Sequence, residues 1–116
     1  MVSTTEVRGL LLADRERTAE LVSSLTASIA SMVEATQLST SDDEHDPEGS
    51  TIAFERSQAS ALLATATEHL DDVDAALARL DAGTYGRCER CGQSVARERL
   101  LARPTARTCI ACAVAS

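Results

Sequence analysis

Four cysteines, Cys88, Cys91, Cys109 and Cys112, form two Cys-x-x-Cys pairs with 17 residues between them, and no other feature constrains this chain as strongly. Two residues between thiols let a tight turn aim both sulfurs at one point, and Gly92 relaxes the backbone directly behind the first pair. Two such pairs complete a tetrahedron, so the spacing predicts one structural zinc ion held by Cys88, Cys91, Cys109 and Cys112. With four sulfurs around it the metal has no open position for water. Its role is then to replace the hydrophobic core that a module of roughly 30 residues cannot build. The competing readings are a pair of disulfides, which suit an oxidising compartment, and a redox dithiol, which needs one pair in a thioredoxin-like βαβ setting not seen here. Oxidation of the thiolates with loss of zinc remains open as a secondary property.

Upstream of the cysteines the apolar residues recur at helical spacing. Leu11, Thr18, Leu25 and Met32 stand seven apart, with Leu21 and Ala35 three further on and Val22 and Ile29 alongside. Asp14, Thr18 and Ser28 place polar groups on or near this seam, so the first helix needs a partner. The second series is cleaner: Leu63, Leu70 and Leu77, with Ala59, Ala66, Val73 and Leu80 three further on. Gly83 stands where a helix of this phase would stop. Between the two series, residues 39–50 (STSDDEHDPEGS) hold no apolar side chain except Pro47 and must turn the chain. Asp46 before Pro47 fits an N-cap followed by a first helical residue, and Ser50 is the alternative cap. Each helix runs about 30 residues, roughly 45 Å. The expected fold is mainly α: a long antiparallel two-helix coiled-coil hairpin over residues 1–83 with an acidic tip at 39–50, then a four-cysteine zinc module over 84–116. Phe54 and Tyr85 are the only aromatics, so thin helix-on-helix packing suits the chain better than a thick core.

Charge narrows the partners. The net charge is -7, with 18 acidic residues against 11 basic ones, which argues against general attraction to nucleic-acid phosphates or anionic lipid. From Arg87 onward, however, six arginines face only Glu89 and Glu98, a balance of +4 that leaves -11 for residues 1–86. A tetrathiolate zinc centre carries -2, which arginines nearby can offset. No stretch approaches the ~20 apolar residues of a membrane helix, and the opening residues hold no long apolar signal core; a soluble, cytoplasmic protein is the simplest expectation.

Tyr85-Gly86-Arg87-Cys88-Glu89-Arg90-Cys91-Gly92, then Arg99-Leu100, then Ala102-Arg103-Pro104-Thr105-Ala106, then Cys109 to Cys112, resemble the DksA/TraR family of bacterial transcription factors. The likeness is close over residues 84–112, while the acidic turn and heptad helix match the coiled-coil arm of longer members. The resemblance implies a regulator without enzymatic activity: the zinc module docks on RNA polymerase and the hairpin enters the secondary channel, its acidic tip approaching the catalytic centre with no sequence-specific DNA contact. In this chain the tip residues would be Asp42, Asp43, Glu44, Asp46 and Glu48. The family's tip pattern, Asp-x-x-Asp-x-Ala, reads here Asp46-Pro47-Glu48-Gly49-Ser50-Thr51, keeping only its first aspartate. The chain also stops four residues after Cys112, where long members continue into a helix that contributes to polymerase and alarmone contacts.

Other readings stay open beside this one. The acidic segment is read on composition as a solvated turn, and as a charge able to act on a magnesium-containing site on the strength of the resemblance. Arg97, Arg99, Arg103 and Arg107 fit a docking surface for an acidic element or a solubilising shell equally well. His45 is read as solvated, His69 as exposed on the second helix, and Tyr85 as packing between module and helix end. The second function class is a zinc-stapled protein interaction module, a homodimer through the hairpin, with an inert tip and no polymerase role. A direct nucleic-acid-binding ribbon rests on the +4 tail alone.

Overall fold

Both heptad series become long helices, α1 (Thr4–Leu38) and α2 (Pro47–Ala82), followed by two short ones, α3 (Arg97–Ala102) and α4 (Ile110–Ala115). The computed structural model describes residues 2–38 and 47–115; among these there is no strand, only a single antiparallel bridge between Arg87 and Ser94. The helix starts of the sequence reading are met at Pro47, where a missing amide proton costs nothing. At the other end Gly83 takes φ +77°. The Thr84 amide then donates to the Arg79 carbonyl at 2.9 Å and the Gly83 amide to that of Leu80 at 3.3 Å. That pair of bonds closes the helix in a Schellman motif.

α1 and α2 pack together, and the contacts fall into two units. The first holds residues up to Arg17 and from Leu70 onward. Its core is Val7 and Leu11 from α1 against Val73, Ala76 and Leu80 from α2, with Val2, Leu77 and Tyr85 packed on it. Two ion pairs report the antiparallel register: Arg8 with Asp81 at 3.0 Å and Arg15 with Asp74 at 2.6 Å. Seven residues forward on one helix matches seven back on the other, as two antiparallel heptad seams require. Both side chains of the second pair are 47% exposed, so water and salt screen it. A double-mutant cycle on Arg15 and Asp74 is expected to give less than about 1 kcal/mol of coupling, falling further in high salt.

The second unit, Thr18–His69, buries little. Among its described residues the buried side chains are Thr18, Ala59 and Ala66, all small, flanked by half-buried Val22, Leu25, Ile29, Met32 and Leu63. Ala59, Ala66, Val73 and Leu80 are therefore all buried, and Leu11, Thr18, Leu25 and Met32 line the α1 seam, as their spacing predicts. Two residues assigned to that seam lie off it: Leu21 is 50% exposed and Ala35 is exposed. At 100° per residue Leu21 sits about 80° round from Leu11 and Ala35 about 120°, outside the narrow stripe that one partner helix can cover. Ser28 is exposed as well, so it puts no polar group into the seam, whereas Thr18 does. His69 is half-buried rather than exposed. No described helix is long and apolar enough to cross a membrane.

Candidate metal centre

The first cysteine pair is shaped by a tight ribbon that follows Tyr85. The Val95 amide donates to the Gly86 carbonyl at 2.8 Å, the Cys88 amide to Gln93 at 2.8 Å, and the Gly92 amide back to Cys88 at 3.0 Å. Gly92 takes φ +74°, the left-handed conformation a turn of this tightness demands directly after Cys91. The second pair is built differently. Cys109 immediately precedes α4 and Cys112 lies in its first turn, with the Ala113 amide donating to the Cys109 carbonyl at 3.0 Å. The helix thus gives its two thiols the spacing that the first pair obtains from a glycine turn.

These two devices bring all four sulfurs within 4.8 Å of one another, with Cys91 and Cys109 Sγ 3.8 Å apart. Sulfurs about 2.3 Å from a central zinc ion stand about 3.8 Å apart along a tetrahedron edge, so the set fits that ion. None of the four cysteines is joined in a disulfide. Cys88 is buried, Cys109 and Cys112 are half-buried and Cys91 is exposed.

The thiols are not equivalent. Cys88 is held down to about 6, chiefly by the backbone amide of Cys91 and then that of Cys109, with help from the backbone amide of Arg90. Cys112 is pushed up to about 12 because its proton is shared first with Cys109 and then with Cys88 and Cys91. Four sulfurs this close cannot all ionise without a cation among them, and a divalent metal supplies the compensation. Cys88, Val95 and Leu100 form the module's small core, joined by Val2 and Tyr85. Tyr85 packs on both this cluster and the α1–α2 core, and its hydroxyl donates to the Pro104 carbonyl at 2.7 Å. It is the packing residue that its position suggested.

The arginines divide in a way that the sequence does not reveal. Arg107 reaches Asp72 of α2 at 3.3 Å and Glu89 at 3.4 Å, while its carbonyl accepts from the Glu89 amide at 2.9 Å. Arg99 donates through Nε to the Thr108 carbonyl at 2.8 Å, and Arg90 to the Cys112 carbonyl at 3.3 Å. Arg79 is half-buried and donates to the Thr105 carbonyl at 3.5 Å, but its Nη1 is buried without a partner. Burial and the neighbouring Arg107 lower its pKa. Arg97 and Arg103 are exposed. Of the arginines read as a docking surface or a solubilising shell, Arg99 and Arg107 therefore make internal contacts first. The carboxylates Asp42, Asp43, Glu44 and Asp46, with His45, lie outside the described residues, and Glu48 lies in α2 with its side chain undescribed.

Residues 83–116 match the family model described as the prokaryotic dksA/traR C4-type zinc finger. Among solved structures the chain is similar to transcription factor DksA2 from Pseudomonas aeruginosa, with a TM-score of 0.80 and 26% identity, covering 97% of this chain and 81% of that one. Among curated proteins it is 36% identical over 74 residues to general stress protein 16O of Bacillus subtilis, covering 64% of this chain and 45% of that protein. It is 41% identical over 66 residues to the uncharacterized protein YteA of the same organism, covering 57% of this chain and 28% of YteA. A third, an uncharacterized protein of Aquifex aeolicus, is 48% identical over 44 residues, 38% of this chain and 30% of that one. The matched region spans less than half the length of each of these curated relatives.

Proposed function

We propose that this chain, which ends in a DksA/TraR C4-type zinc finger and has the fold of a DksA transcription factor, regulates transcription by binding RNA polymerase through its secondary channel. The observation that carries this reading is the joint one. The zinc-finger signature at 83–116 agrees with a DksA-like fold that extends over 97% of the chain, well beyond the residues of the signature. Under this reading residues 1–83 act as the hairpin and 84–116 as the zinc module, with Cys88, Cys91, Cys109 and Cys112 as the four ligands of one zinc ion. The protein is a cytoplasmic regulator and not an enzyme: a metal enclosed by four sulfurs has no open position for water or substrate.

Charge supports the same division of labour. Thr18–His69 contains nine carboxylates and a single arginine, Arg56, so this unit suits a basic or metal-containing surface. Asp42, Asp43, Glu44, Asp46 and Glu48 supply more than half of that charge. They are the residues we assign to contact near the polymerase centre.

Zinc-loaded protein is expected to co-sediment with RNA polymerase core at micromolar concentration in low salt. Asp46→Ala is expected to change transcript yield in a reconstituted initiation assay while leaving co-sedimentation within about twofold, because a single charge adds little to the affinity of a large interface. Absence of any complex with core enzyme ends the proposal. A mass in solution that rises with concentration, without polymerase binding, would instead establish the homodimeric interaction module.

A further inference from the structure

The second cysteine pair is placed against the first by hydrogen bonds that neither pair makes on its own. Seventeen residues separate the pairs, so chain connectivity leaves their relative position largely open. Beside the Glu89 amide bond to the Arg107 carbonyl and the Arg107–Glu89 ion pair, two further arginines bridge that gap. Arg90, inside the first knuckle, reaches across 22 residues to the carbonyl of Cys112, and Arg99, on α3, reaches the carbonyl of Thr108. The second contact bears directly on the site, because Thr108 and Cys109 share one peptide plane. Its oxygen accepts from Arg99 Nε at 2.8 Å, and its nitrogen is that of Cys109. The peptide is planar, so its oxygen and the Cys109 nitrogen move as one rigid group. Arg99 thereby restrains the peptide from which the Cys109 thiol projects toward the other three sulfurs.

We infer that Arg99, assisted by Arg90, is a positioning residue for zinc: it holds the Thr108–Cys109 peptide so that the second cysteine pair closes on the first in tetrahedral register. Groups that orient metal ligands from the next layer out change metal affinity by about 10- to 100-fold when removed. A guanidinium bound to a carbonyl beside the site also brings positive charge toward a centre that carries -2 when loaded. Geometry and charge are separable, because lysine keeps the charge and loses the planar Nε donor. This inference concerns the metal site alone and stands whether or not the chain binds polymerase.

The test is zinc affinity by competition with a chromophoric chelator on the full chain, with the ligand-field spectrum of the cobalt(II) form as a readout of geometry. Arg99→Gln is expected to weaken zinc binding about tenfold or more, and Arg99→Lys to recover only part of that loss. Both are expected to shift or broaden the cobalt bands. Arg103→Gln, four residues along and exposed, removes the same charge without touching a ligand-bearing peptide and is expected to leave affinity and spectrum unchanged. Far-ultraviolet circular dichroism of each variant reports whether α1 and α2 remain folded. If Arg99→Gln misfolds, Arg90→Gln carries the test, with a smaller expected loss because its bond is longer. Wild-type zinc affinity in Arg99→Gln would overturn the inference. So would an equal loss in Arg103→Gln, or full recovery of affinity and spectrum in Arg99→Lys, since bulk charge would then explain the effect.

Discussion

Cys88→Ser is expected to abolish stoichiometric zinc and to unfold the segment from Cys88 to Cys112, leaving α1 and α2 largely helical. The reason is the size of the core that remains. Within the module only Cys88, Val95 and Leu100 are buried, and Cys88 is itself one of the four sulfurs. Burying one aliphatic side chain is worth about 1.5–3 kcal/mol, whereas ordering each residue costs about 1–2 kcal/mol, so two aliphatic side chains cannot hold a segment of this length. A structural zinc site contributes about 10–16 kcal/mol, and its loss removes the dominant favourable contribution. Hydrogen exchange checks this directly. The amides of Cys88, Gly92 and Val95, bonded within the ribbon, should lose protection in the variant and equally in chelator-treated wild type. Unchanged protection in metal-free protein would show that the module folds without its ion.

The second large effect lies at the other end of the same unit. Leu11 is fully buried against α2 and is the largest such side chain in the described protein. Leu11→Ala is expected to cost about 2–5 kcal/mol by urea unfolding, through lost transfer energy and the cavity left behind. Leu12, its neighbour in sequence, is 51% exposed, and Leu12→Ala should stay within about 0.5 kcal/mol. The contrast is large because the described part of the hairpin has so few substantial side chains in its seam: beyond Thr18 its buried positions are alanines. Ala59 and Ala66 let the backbones approach but remove little apolar area from water, so the residues around Leu11 and Val73 dominate the helix pairing. Similar losses for both leucines would mean that the α1 face is misassigned.

Much of this was legible from residue order alone, and for a common reason: it is local or periodic. Two Cys-x-x-Cys pairs 17 residues apart carry the spacing of a four-cysteine zinc site in the residue order itself. A seven-residue recurrence such as Ala59, Ala66, Val73 and Leu80 selects one helix face by geometry. Pro47 and Gly83 mark the ends of α2 through restrictions on their own backbones. The width of the α1 stripe was not legible, because periodicity does not say how many partners cover a helix. With only one, Leu21 and Ala35 remain outside.

Residue order by itself therefore determined the metal chemistry, the two long helices and the sense in which they pair, since each follows from constraints acting within a few turns of chain. Tertiary structure alone decided which arginines are committed internally. Arg90, Arg99 and Arg107 find their acceptors 22, 9 and 35 residues away, and Arg79 ends with a buried nitrogen unpartnered. No local rule distinguishes these from Arg97 and Arg103, because a guanidinium on a flexible stem chooses its partner only after the fold has placed a carbonyl or carboxylate within reach.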